Sequence, residues 1–172
     1  MKSFMMDIET LGVSEDANVM SVGIVYFDKD SIIDHLYCNV APQTGRSVDV
    51  STVYWWLEQS KEAQDALTKY RKTATETCRT IRDWVAEVDQ NAGCWVKGSR
   101  FDHAIMEHLF QSVRVDYPWT FRKQWCMRGL CSMYPKYEPS VNFMVSHNAL
   151  ADATYQAEWI QNVMRRSNAH RQ

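Results

Sequence analysis

The chain has 172 residues, 45% of them hydrophobic, with a formal net charge of -2; that is the size and apolar content of one compact domain and too little for two. The charge excludes an overall basic field as the means of attracting nucleic acid, although an acidic metal site would itself supply several of those negatives and be neutralised on loading. Five cysteines, odd in number and never spaced CxxC, argue against a disulfide framework or a zinc ribbon and for a reducing cytoplasm, while no run approaches the ~20 apolar residues of a membrane span and no export signal is read at the N-terminus.

Lys2 to Ile8 reads as a strand entering the core, and Val19 to Phe27, rich in β-branched and aromatic residues, as a second buried one. Asp28-Lys29-Asp30 reads as a tight turn into a third strand over Ser31 to Val40. The three form an antiparallel meander with Asp7 and Glu9 at the end of its first strand. Ser51 or Thr52 is predicted to cap a helix through Tyr54-Trp55-Trp56-Leu57, with Glu62 to Leu67 continuing it or forming another turn. Ile81, Trp84, Val85 and Val88 fall at helical spacing within Thr75 to Val88.

Cys94 to Val96 fits a short buried parallel strand, and Gly98-Ser99 leads into a helix from Phe101 to about Phe110, which places Asp102 at the strand-to-helix junction. Val115 to Trp119 is expected to supply one more short strand and Lys123 to Met133 a helix, followed by an irregular loop over Pro135 to Ser146. A closing helix is predicted from Asn148 to about Arg165, burying Ala149, Ala153, Ala157 and Ile160. The expected organisation is one domain over 1–166 with a polar tail over 167–172. Strands first, then helices mixed with parallel strands, give an α/β fold: a mixed five-stranded sheet with helices on both faces.

Five residues carry the chemistry: Asp7 and Glu9 in MMDIETLG, Asp102 in GSRFDHAIM, and His147 with Asp152 in HNALADATYQ. Each segment alone has a plain structural reading, since a DxE pair is common and Asp102 or Asp152 could simply favour a helix start. Together, four carboxylates and a histidine are what two-metal hydrolysis of a phosphodiester requires. A set of acids without thiolates selects a hard ion, Mg²⁺ or Mn²⁺, over zinc. Asp7 and Glu9, two apart on a strand, share one face while Ile8 points into the core. Of Trp55 and Trp56, one is expected in the core and the other along a substrate groove, where a stacked base is worth ~1–3 kcal/mol. Lys97 and Arg100 are the cations closest in sequence to Asp102.

In order and context these motifs resemble the DEDD exonuclease superfamily, in its histidine-bearing DEDDh branch, which includes ribonuclease T, oligoribonuclease and replicative proofreading subunits. DIET carries the first motif, FDHAIM the second and HNALADATYQAEWI the third, with the H-x4-D spacing of that branch. MMDIETLG followed by NVMSVGIVYFD and a YWWLEQS helix is most similar to the compact phage and bacterial DexA and exonuclease VIII-like group. The chain departs from the branch where KGSR precedes the second motif in place of the more usual asparagine-containing run.

The resemblance implies a ribonuclease H-like fold and a 3'-5' exonuclease that releases nucleoside 5'-monophosphates. Asp7 would bridge two metals about 3.5–4 Å apart, Glu9 and Asp152 would hold one ion and Asp102 the other. His147 would deprotonate the attacking water, a task suited to an ordinary pKa of about 6.5. Thr10 and Leu11 would offer backbone N–H groups to the 3' end, with Gly12 letting the chain turn there. The partner is the 3' end of single-stranded DNA or RNA. DNA is favoured by the exodeoxyribonuclease-like group, RNA is the alternative, and a non-catalytic module binding nucleic-acid ends is the rival from another class. A homodimer is left open.

Overall fold

In the computed structural model the described residues are 2–69, 71–134 and 147–169. The meander forms as expected from β1 (Ser3–Thr10), β2 (Val19–Phe27) and β3 (Ile32–Val40). Strands β4 (Arg71–Lys72), β5 (Cys94–Val96) and β6 (Gln124–Cys126) add to its edges. The sheet order is β4-β3-β2-β1-β5-β6; β1 and β3 flank β2 antiparallel, and β5 and β6 continue from β1 in parallel. Helices α1 (Val50–Leu57), α2 (Lys61–Ala66), α3 (Ala74–Asp89), α4 (Asp102–Ser112), α5 (Met127–Met133) and α6 (Ala149–Ala169) complete the chain.

The sheet therefore has six strands among the described residues, not five, and the extra ones lie where helix or loop was expected. Lys123 to Met133 divides into a 3-10 turn (Phe121–Lys123), β6 and α5. Three-residue and two-residue strands are too short to show a period, so only their pairing to β5 and β3 defines them. Val115 to Trp119 is not a strand; it crosses as loop, with Val115 and Trp119 buried in the main core. Helix α1 is capped by Asp49, two residues before Ser51 and three before Thr52, and α6 runs four residues past Arg165. The predicted loop over Pro135 to Ser146 lies outside the described residues, as do 170–172 of the expected tail.

Alternation along β1 sorts its side chains between two cores. Phe4, Met6 and Ile8 join the larger one, with Cys78, Ile81 and Val85 of α3 and Ile105, Met106 and Leu109 of α4. On the opposite face Met5 meets Val25, Phe27 and the α6 residues Ala153, Ala157, Trp159 and Ile160. Asp7 and Glu9 continue the Met5 row, so the strand period aims both acids toward α6. A register shift between Glu9 and Thr10 then ends the regular ladder at the acidic pair; such bulges re-aim side chains beside functional sites.

Two local features fix the helices that matter. A capping box between Thr73 and Glu76 starts α3. Asn148 Oδ1 accepts from the N–H groups of Leu150 and Ala151, both at 3.1 Å, and starts α6.

The seat of α6 depends on Gly23, which pairs with Asp7 across the β1–β2 ladder. A Cβ there would overlap the backbone of Ala149 and Leu150. Because the obstruction is backbone, a Gly23→Ala protein must move the start of α6. Overpacking of this kind costs about 1–3 kcal/mol, and we expect a fall of several degrees in Tm together with weakened divalent-cation binding, because Asp152 shifts away from Asp7. Calorimetric titration with Mn²⁺ checks it; unchanged affinity in the destabilised variant would separate the glycine from the site.

Candidate active site

Two elements converge on one point. Strand β1 brings Asp7 and Glu9, the first turn of α6 brings Asp152, and single carboxylate oxygens of these three lie within 4.8 Å of one another. Asp102 stands at the start of α4, buried, its Oδ2 accepting from the Gly98 N–H at 3.3 Å. It falls outside the tight cluster of three, yet its charge acts on both Asp7 and Glu9.

The cost of gathering these acids is visible in their protonation. Burial, then the charges of Asp102 and Glu9, hold the Asp7 carboxyl well above the usual range, partly offset by the Gln156 amide. Burial, followed by Asp152 and Asp102, pushes Glu9 up to about 8. Burial raises Asp102 to about 7 against its backbone donors and the Arg128 guanidinium. Asp152 is raised by burial and eased by His147 and Lys97. Burial and mutual repulsion disfavour ionising all four acids together, and a bound cation would offset that cost. The set is all oxygen, as a hard divalent ion prefers, so the residues fit the expected metal.

His147 directly precedes the α6 cap and adopts a left-handed φ of 63°. Histidine is among the residues that reach this region, and it does so mainly at constrained positions. Its ring stands edge-on to Trp55, with centroids 4.7 Å apart. Trp55, 39% exposed, lines a cavity of about 340 Å³ with Glu9, Thr10, Gly12, Ser51, Thr52, Trp56 and Phe101. Trp56 is buried, its Nε1 donating to the Thr10 carbonyl at 3.0 Å. Both indoles border the cavity, Trp56 buried and anchored by its hydrogen bond and Trp55 the more exposed.

The remaining expected contacts divide. Thr10 is buried with its hydroxyl donating to the Gly12 carbonyl at 2.6 Å, and both residues line the cavity. Leu11 does not: its N–H donates to the Asn18 carbonyl at 2.8 Å, and its side chain lines a separate apolar cavity behind Trp56. The hairpin consumes the donor that was assigned to the 3' end. Lys97 is exposed and close enough to act on Asp152. Arg100 lines a different hollow, with Glu15, Ser99, Glu107 and Gln124. Two participants escaped the sequence reading, Gly23 and Gln156; Arg128, a candidate phosphate contact by sequence, packs by Gly98 and acts on Asp102. A glycine inside a β-branched strand, and a glutamine one turn after Asp152, were the available signals.

Residues 2–164 match the family of Rv2179c-like 3'-5' exoribonuclease domains. Among solved structures, the zinc-bound complex of E. coli exonuclease I with single-stranded DNA is similar at TM-score 0.72 and 14% identity, over 96% of this chain and 41% of that one. The nuclease domain of 3'hExo, a DEDDh family member bound to rAMP, gives 0.67 and 13% over 95% and 92% of the two chains. Cell-death related nuclease 4 gives 0.67 and 15% over 95% and 64%. The chain therefore spans about two fifths of the exonuclease I structure. The shared architecture is the ribonuclease H-like fold of DEDDh exonucleases. No curated protein matches the sequence.

Proposed function

The chain belongs to the family of Rv2179c-like 3'-5' exoribonuclease domains, and from that premise we propose that this 3'-5' exonuclease removes nucleotides from single-stranded RNA with the help of two divalent ions. The convergence of Asp7, Glu9 and Asp152 within 4.8 Å carries the reading. Those three, with Asp102, would hold Mg²⁺ or Mn²⁺. Such ions lower the pKa of water and stabilise charge on the phosphoryl oxygens.

The chain's own groups do the rest. His147 accepts the proton of the attacking water and is held by its edge-on contact with Trp55, which lines the cavity. Trp55 offers an aromatic edge and face to the terminal base, while Thr10 and Gly12 wall the cavity where the 3' sugar would sit. Lys97 lies where it can meet a phosphate entering beside Asp152. An unpaired end suits so narrow a site, because opening a duplex costs ~1.4 kcal/mol per step.

RNA replaces the earlier expectation of DNA because the family match is to exoribonucleases, whereas the DNA expectation rested on a resemblance to the DexA-like group. DNA remains the second reading, favoured by the likeness to exonuclease I in its complex with single-stranded DNA. A time course with 5'-labelled RNA and DNA of one sequence, in Mg²⁺, Mn²⁺ or EDTA, decides between them. A metal-dependent ladder shortening from the 3' end, faster on RNA, is expected. Faster loss of DNA would reverse the substrate assignment, and no cleavage of either would refute the enzymatic one.

A further inference from the structure

The closing helix contributes a second side chain to the acid cluster, one turn beyond Asp152. Gln156 is 4% exposed, and its Nε2 donates to Asp7 Oδ1 at 2.7 Å. Among the described residues it is the one side chain that donates to this carboxylate. Its other end, Oε1, is buried without a partner. A buried amide oxygen left unpaired is costly, so the bond to Asp7 is made at the expense of an unsatisfied acceptor.

We propose that Gln156 is a positioning residue that fixes the orientation of the Asp7 carboxylate for the metal ions. The inference rests on the metal-dependent reading above. A carboxylate anchored through Oδ1 presents Oδ2 in one direction, and the freedom lost when an ion binds is removed in advance. A neutral amide suits this role. Lysine or arginine would satisfy the same oxygen but place a positive charge in the site, repelling the ion that the four acids attract. The amide also ties α6 to β1, so the strand that carries Asp7 and Glu9 and the helix that carries Asp152 hold one spacing. Gly23 makes this reach possible by letting the start of α6 close onto β2 beside Asp7.

A merely structural glutamine would also be missed if removed, and α6 contains one for comparison. Gln161, likewise 4% exposed, donates through Nε2 to the Asp28 carbonyl at 2.8 Å, away from the acids. The test compares Gln156→Met, Gln156→Leu and Gln161→Met in the full chain by calorimetric titration with Mn²⁺, with Tm in EDTA as the measure of folding. Either Gln156 variant that folds should bind Mn²⁺ about 10–100-fold more weakly, with kcat at subsaturating Mn²⁺ falling alongside and KM for RNA changing little. Gln161→Met should bind Mn²⁺ as the parent does. Parent-like affinity in the Gln156 variants, or an equal loss in Gln161→Met, overturns the proposal and leaves Gln156 as a helix anchor. Failure of the parent itself to bind Mn²⁺ overturns both this and the metal-dependent reading, so the two failures are told apart.

Discussion

Asp7→Asn is expected to lower the hydrolytic rate at least ~10³-fold while raising the thermal stability of the metal-free protein. The rate loss, ~4 kcal/mol of barrier, follows from removing the charge at the centre of the acid cluster, where Glu9, Asp152 and Asp102 all act on the same carboxyl. The gain in stability follows from the same fact. Asp7 is held well above the usual carboxylate range by burial and by its acidic neighbours, so ionising it in the metal-free fold is costly. Asparagine has the same shape, its carbonyl oxygen can still accept from Gln156, and it carries no charge. Each kcal/mol recovered corresponds to about 2–4 °C for a chain of this size, so a rise of several degrees is expected in EDTA near pH 8. Loss of activity is what any damaging change would produce; loss of activity with a higher Tm is the signature of a strained functional group. Calorimetry in EDTA beside the RNA time course measures both, and a lower metal-free Tm would mean that the acids are not in conflict.

Much of the acid cluster could be read from the sequence because its residues are tied to strong local patterns. The D-x-E pair lies on a long apolar strand whose period fixes which face the acids take, and Asp102 and Asp152 sit where helices begin. The three motifs thus arrived with their elements attached. The edges of the sheet escaped, since β4 and β6 are defined by pairing with β3 and β5 and hold too few residues to show alternation. Val115 and Trp119 looked like a strand because both are buried and apolar, but they plug the core from a loop. Gln156 and Gly23 escaped for a different reason. Each matters through a contact between segments more than a hundred residues apart in sequence, Gln156 with Asp7 and Gly23 with Ala149, and no local pattern encodes such a pairing. The Leu11 donor was lost to a local contact instead, a bond within the β1–β2 hairpin to the Asn18 carbonyl.

The metal-free protein is expected to lose stability as the pH rises from about 6.5 to about 8, and a bound divalent cation to remove that loss. Glu9 moves from 4.5 to about 8 on folding, Asp102 from 3.8 to about 7, and Asp7 in the same direction. Between the unfolded and folded values the native chain holds protons that the unfolded chain has released, so the free energy of unfolding falls with rising pH. This stability is fully present below the unfolded values and is lost as the pH passes through 7 to 8. His103 acts with the opposite sign. Burial lowers it from 6.5 to about 4, so its contribution is present above 6.5 and is lost as the pH falls through 4, which masks the carboxylates on the acid side. Above about pH 6.5 the acids act without that opposition. With each group limited to ~1.4 kcal/mol per pH unit, a loss of about 2–4 kcal/mol is expected across the window, or roughly 5–10 °C in Tm. Mg²⁺ or Mn²⁺ stabilises the ionised acids, so the native chain no longer retains the extra protons and the slope should vanish. Scanning calorimetry at several pH values, with EDTA and with each metal, measures this. A flat profile in EDTA would show that the acids ionise freely without a cation, and an equal slope with metal would show that no ion reaches them.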